Sequence, residues 1–527
     1  MKLNNLNFMK KEVIQKILQK HSNLRDKLFC RGYVITNSII SEKDYPFYGL
    51  WIKRTIDEYT LLVSPKQHSY IYKGKQGTWV LIGHAYNPVT MDSDEMTILK
   101  KMDEANDFIN VLNELTGVFT LHIIKDGIIR VYGDASCMQS TFYGLIEGKT
   151  WLSTHANLIG DLCNLSWSSY VKKLASYKFF PLLGNSLPGN LTQFTEVERL
   201  MPNCSVQIGG GKLLIERFYT PKRLLLNNDA IVNEVARLLH NNLELIARKW
   251  EKPAISCTGG CDSKTTMACA VGLYDKFRYF SYISNDSEKV DAEAAKNIVN
   301  AFGQNHKIYK IPDTDNAFQE LEDTRSLLFW NTGALCENNR NDVRKRKFFE
   351  DTEDFDVEVK SWASEIGRAY YSKRFANRKS FGKKPTPRKC TAMYKFFLHN
   401  RPLVWETDKV FKEWLNKYFK QDEEHPIDWQ EQLFWEFRVP SWNGLVITGE
   451  HRYSFDITIP YNNRKLIELL VSVPIEERIN DTIYSKIRSK MNPEIDKTGI
   501  AITNVKHTNN RAKAENIYYW VMTHMIF

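Results

Sequence analysis

The chain has 527 residues, 43% of them hydrophobic and 25% charged, with a formal net charge of +10. That is too long for one hydrophobic core and apolar enough to build two or three, so a single-core domain is excluded and a multidomain globular protein is expected. The charge admits an anionic partner without choosing among a nucleotide, a phosphosugar, an acidic peptide and RNA.

The first residues, MKLNNLNFMKKEVIQKILQKHSNL, carry no apolar run long enough for a signal-peptide core, and no later stretch approaches a membrane span. A cytoplasmic location is the expectation, with no membrane partner. The region to about residue 220 alternates β-rich runs (GTWVLIGHAY, GVFTLHIIKDGIIRVYGD, CSVQIGGGKLLIERFY) with turn residues, the pattern of an antiparallel domain. A helix-rich stretch at about 160–183 interrupts it.

From roughly 229 to 375 the pattern changes. Ile231, Val235, Leu238, Leu239 and Ile246 recur at helical spacing, and the short apolar run 254–257 then ends in Gly259 and Gly260. A helix over about 264–271, the strand RYFSYIS, a helix carrying Val290, Ala294, Ile298 and Phe302, and the strand HKIYKI follow. Strands alternating with helices predict a doubly wound parallel sheet, whose ligands bind at the carboxyl ends of the strands. From about 390 the chain reads as helical and aromatic, resuming the core at FDITIPYNNRKLIELLVSVP. Between them, 373–389 holds eight Lys or Arg and no acid, either a solvated loop or a lid over an anionic substrate.

The nine cysteines are odd in number and lack paired spacing, and three of them (Cys257, Cys261, Cys269) crowd one strand-to-helix segment. They read as reduced thiols, and no CxxC pair or nearby histidine completes a metal set.

The segment ISCTGGCDSKTT, 255–266, carries the chemistry. Adjacent glycines let the backbone approach a ligand, and the helix that follows presents free N–H groups to an anion. Hydroxyls of Ser256, Thr258 and Ser263 flank the turn, and Asp262 is placed to hold a magnesium ion against phosphates. The spacing before Lys264 is wrong for GxxxxGK[ST]. A plain strand-to-helix turn with incidental polar residues is the alternative.

TGGCDS resembles the SGGxDS loop of the ATP pyrophosphatase superfamily, with threonine for the first serine. The run YFSYISNDSEKVDAEAAKNIVNAFGQNHKIYKI is similar to the asparagine synthetase family, and SEIGRAYY, 364–371, resembles a weakened form of its GEGSDELFGGY segment. The stretches 117–143 and 187–219 are similar to the later part of a class II glutamine amidotransferase domain, and IPYNNRKLIELLVSVPIEERI to the family's C-terminal helices. The resemblance implies an N-terminal helix over 1–25, a degenerate amidotransferase-like α+β domain over 26–220, and a synthetase-like α/β domain with a helical extension over 221–527.

It also implies site residues. Ser256, Thr258, Gly259, Gly260, Asp262 and Ser263 would hold ATP. Asp262 and Glu365 would hold Mg2+, with Ser364 standing where the family's second metal carboxylate belongs. The lysine that steadies the tetrahedral intermediate would be Lys486 or Lys497. The amidotransferase nucleophile is an N-terminal cysteine, but Met1 is followed by Lys2 and the first cysteine is Cys30, so glutamine hydrolysis is not expected.

The resemblance therefore points to a ligase of a specialised biosynthetic pathway. It would adenylate a small-molecule, sugar-acid or peptide carboxylate, release pyrophosphate, and form an amide with an amine or free ammonia. Two alternatives stay open: a catalytically degenerate nucleotide-binding protein, and an RNA-modifying pyrophosphatase that the amidotransferase-like domain disfavours. A homodimer is compatible with the sequence.

Overall fold

A computed structural model describes residues 9–180, 186–333, 340–374, 381–394, 400–498 and 509–525. The N-terminal part contains β1 (Tyr33–Thr36), β2 (Ile52–Ile56), β3 (Tyr59–Val63), β4 (Ser69–Lys73), β5 (Thr78–Tyr86) and β6 (Thr116–Lys125). It continues with β7 (Ile128–Gly133), β8 (Phe142–Ile146), β9 (Lys149–Ser153), β10 (Glu198–Arg199), β11 (Cys204–Gly209) and β12 (Lys212–Arg217). They form two six-stranded antiparallel sheets, in the orders β10-β8-β9-β1-β3-β2 and β12-β11-β7-β6-β5-β4.

Side-chain alternation sets the layers. On β5, Val80 and Ile82 face the other sheet and meet Ile35 and Leu61, while Trp79 and Leu81 face outward under the helices Glu95–Glu104 and Phe108–Glu114. On the far side, Val34 and Leu62 are covered by Ile14 and Leu18 of the helix Lys11–Lys20 and by the helix Ala156–Leu162. The result is helix on sheet on sheet on helix. The N-terminal helix expected over 1–25 is the helix Lys11–Lys20 followed by a 3-10 turn over Ser22–Lys27, and residues 1–8 of that expectation lie outside the described residues.

The second part holds five parallel strands, β13 (Pro253–Ser256), β14 (Arg278–Ile283), β15 (His306–Lys310), β16 (Val357–Val359) and β17 (Asp456–Thr458), in the order β15-β14-β13-β16-β17. The chain winds outward from β13 to β15, then returns to the other side of β13 for β16 and β17. This is the doubly wound sheet expected, extended by two three-residue strands that sequence periodicity did not register. The helix expected over 264–271 begins earlier, as Cys261–Cys269. In the helix Asp286–Ala301, Ala294 and Ile298 are buried, but Val290 faces solvent.

The two parts are locked by buried polar contacts. Arg464 donates to the Asn203 Oδ1 and to the carbonyls of Gly133 and Asp134, and Asn462 donates to Asp134 Oδ1 and the Gly117 carbonyl. Arg452, at the start of the turn into β17, donates to Asp456, Gln139 and Gln67. Such buried groups are costly when unpaired, so they fix one relative placement of the sheets.

Asp161, beneath the helix Lys11–Lys20, accepts from Tyr45 Oη at 2.5 Å and Trp330 Nε1 at 3.1 Å. Burial nevertheless pushes its carboxyl up to about 6. The unfolded chain ionises this group first, so stability falls as pH rises from about 4 to about 6 and stays reduced above. Asp161→Asn removes that dependence. Urea denaturation should show the wild type losing about 2–3 kcal/mol relative to the variant between pH 4 and pH 7, and parallel pH profiles would contradict this.

Candidate functional site

The connections leaving β13 and β16 run in opposite directions, which opens a crevice at the carboxyl ends of these neighbouring strands. A cavity of about 350 Å3 occupies it. Its walls are the 256–263 turn, the end of β14 with Ser281 and Tyr282, Glu288 and Asp291 of the helix Asp286–Ala301, and the segment Lys360, Ser361, Trp362 and Glu365. That volume lies in the range of small-molecule sites.

The turn is built as the sequence suggests. β13 ends at Ser256, the helix Cys261–Cys269 starts within five residues, and Gly260 takes the N-cap position with extended backbone. Ser263 Oγ accepts from the Thr258 amide at 3.0 Å, and Thr258 Oγ1 accepts from the Gly260 amide at 3.2 Å. Burial pushes the Asp291 carboxyl up, partly offset by the nearby Gly259 amide. Of the residues expected to bind nucleotide, Ser256, Thr258, Gly260, Asp262 and Ser263 line the cavity, and Gly259 presents its amide beside them.

Asp262 is the centre of a chain of alternating charges. Arg368 Nη1 donates to its Oδ2 at 2.5 Å, and the Ser364 hydroxyl lies 2.7 Å from its Oδ1. The same guanidinium donates to both oxygens of Asp481 at 2.9 and 2.8 Å, and Lys373 Nζ closes on Asp481 at 2.5 Å. Glu365 also lines the cavity, and burial first, then the charge of Asp262, pushes its carboxyl up. These two carboxylates were the expected magnesium ligands. Among the described residues no group of three or more His, Cys, Asp or Glu is placed to hold a metal ion. Both Asp262 oxygens are already engaged, by Arg368 and by Ser364, so an ion there would have to displace the guanidinium. A resident metal ion does not fit this donor set.

Lys486 and Lys497 do not reach the cavity. Lys486 is 42% exposed and sits 3.6 Å from Glu477, while Lys497 is 69% exposed and pairs with Glu494 three residues earlier in its own turn of helix. The cation that sequence order missed is Lys360. It follows β16 directly, and the pairing of Ile255 with Val359 places it beside Ser256 across the strands. Its Nζ is 2.8 Å from Glu358 Oε1 and 5.2 Å from the centroid of the Trp362 ring. Burial pushes its ammonium down, against the opposing charge of Glu358. Nothing in chain order marked it, because β16 is only three residues long and carries no period.

The turn Ser364–Arg368 that carries Glu365 and Arg368 is held from below. Ala363 and Ala369, at its ends, both adopt left-handed backbone. Tyr484 Oη donates to the Ser364 carbonyl at 2.6 Å, and buried Arg478 donates to the carbonyls of Gly367 and Ile366 and to Glu431 Oε2 at 2.5 Å. Gly367 is required here, because a Cβ would stand 2.6 Å from the Tyr484 hydroxyl. Of the basic segment 373–389, residues 375–380 lie outside the described residues; Lys373 joins the charge chain, and Lys389 donates to the carbonyls of Phe381 and Lys384.

Cys30, the first cysteine, is buried in the turn before β1, its thiol 3.7 Å from the Arg452 carbonyl. Among the described residues no helix is long and apolar enough to cross a membrane.

No protein-family model and no curated protein matches the sequence. Among solved structures, the chain is similar to the glutamine phosphoribosylpyrophosphate amidotransferase from B. subtilis complexed with ADP and GMP. The identity is 10%, 50% of this chain and 61% of that chain are covered, and the TM-score is 0.22. It is similar also to the structure of an allosteric regulatory enzyme of purine biosynthesis, at 10% identity, 50% and 62% coverage and a TM-score of 0.24. The chain thus spans about three fifths of the length of either neighbour. Likenesses this faint decide nothing about the site, whose reading rests on its own residues.

The Arg478 and Glu431 side chains are each about 1% exposed. Arg478→Met strands a buried carboxylate, and the expected loss in urea denaturation is about 3–5 kcal/mol. Arg478→Met with Glu431→Met should recover part of it, because the Gly367 and Ile366 carbonyls stay without their donor. A single variant as stable as wild type would show that this pair does not anchor the turn.

Proposed function

We propose that this protein is an ATP-dependent ligase that adenylates a substrate carboxylate, releases pyrophosphate and forms an amide, in the manner of asparagine synthetase-like enzymes without glutamine hydrolysis. The observation that carries the reading is the placement of the Gly259–Gly260 turn and the helix Cys261–Cys269 at the switch point of the parallel sheet, around the cavity. Backbone donors at a helix start favour phosphate, and the crevice outside the strand ends is where such sheets take nucleotides.

In this reading the amides of 259–260 and the hydroxyls of Thr258 and Ser263 hold the leaving phosphates. Both hydroxyls accept within the turn and keep their O–H to donate to the ligand, whereas the Gly260 amide exchanges Thr258 Oγ1 for a phosphate oxygen. Lys360 lines the same cavity, on the strand edge next to the turn. Fixed positive charge near developing negative charge is the arrangement that lowers an acyl-transfer barrier most. Walls formed by Phe280, Tyr282 and Trp362 limit water around a reactive adenylate.

A second reading, nucleotide binding without turnover, is favoured by one observation: both oxygens of Asp262 are engaged by Arg368 and Ser364. Pyrophosphate exchange into ATP separates the two. With purified protein, magnesium and a panel of carboxylic acids, exchange should appear with some acids and fall by about two orders of magnitude in Ser263→Ala with Thr258→Ala. Saturable ATP binding with no exchange for any acid would favour the non-catalytic reading. Absence of ATP binding would remove both.

A further inference from the structure

Resting on the nucleotide-site reading above, we propose that the phosphates held by the 256–263 turn are neutralised by the ammonium of Lys360, and that Asp262 is the counter-ion of Arg368 rather than the ligand of a divalent cation.

Two observations carry this. First, the Asp262 carboxylate is already spent: it is held by Arg368 and Ser364, and Arg368 is itself fixed by Asp481, which is fixed by Lys373. Freeing Asp262 for a metal would leave the guanidinium and its partners to rearrange across two helices and a turn. Second, the strand register sets Lys360 beside Ser256, on the same carboxyl edge as the turn and inside the cavity. Its Nζ stands 2.8 Å from Glu358 Oε1, two residues earlier on the same face of β16, and this ion pair holds the ammonium at that edge.

The consequence is that phosphate recognition does not require magnesium. Isothermal titration of inorganic pyrophosphate into the full chain, once in excess EDTA and once with magnesium, tests it. The expected Kd in EDTA is within about threefold of that with magnesium, Lys360→Met weakens binding in EDTA by about tenfold or more, and Lys360→Arg restores part of it. Thermal melting checks that the variants fold, and the EDTA comparison on the wild type needs no variant. Binding that appears only with magnesium, or that Lys360→Met leaves unchanged, overturns the proposal while the nucleotide site stands. No binding in either buffer overturns the nucleotide site as well.

Discussion

The candidate site depends on one constraint, the reversal of winding between β13 and β16. Parallel strands need crossovers, and when successive crossovers leave to opposite sides of a sheet, the loops at the strand ends part and leave a crevice. Everything placed there follows from the two strands that flank it. β13 delivers Ser256 and the glycine turn, and β16 delivers Lys360, Trp362 and the turn that holds Glu365 and Arg368. Residues about a hundred positions apart in sequence become neighbours because two short strands pair in register.

The surroundings keep this edge rigid by polar rather than apolar means. Arg478, Tyr484 and Asp481 all belong to the segment around the start of the helix Thr482–Met491, and each grips the 364–368 turn or its arginine. On the other side, Arg452, Asn462 and Arg464 join the edge strand β17 to the antiparallel sheets. The antiparallel part therefore braces the parallel sheet from its β17 edge, whatever other role it has. Buried charge networks are weak sources of net stability but strong selectors of a single arrangement, which is what a preorganised site needs.

How much was legible in the sequence follows from the range of each signal. The 255–266 segment was readable because its strand, glycines and helix are contiguous, and its chemistry is local. The fold class was readable from the switch between alternating and helical periodicity near residue 229. The strands β16 and β17 were not, since three residues carry no period, and β2 and β4 were passed over because they have no buried alternating face. Lys360 and Arg368 escaped notice because what gives them meaning is a partner, Glu358 held in a strand or Asp262 about a hundred residues away. Lys486 and Lys497 were singled out by chain order, and in space their ammonium groups belong to surface ion pairs. Order along a chain predicts a neighbour only within one element.

Hydrogen exchange on the full chain, with and without a non-hydrolysable ATP analogue, tests the central claim most directly, because it reads where a nucleotide binds without assuming turnover. The account predicts slowed exchange in the peptides covering 256–263 and 360–368, with the antiparallel sheets unchanged. Protection elsewhere, with those two segments exchanging as in the free protein, would contradict it.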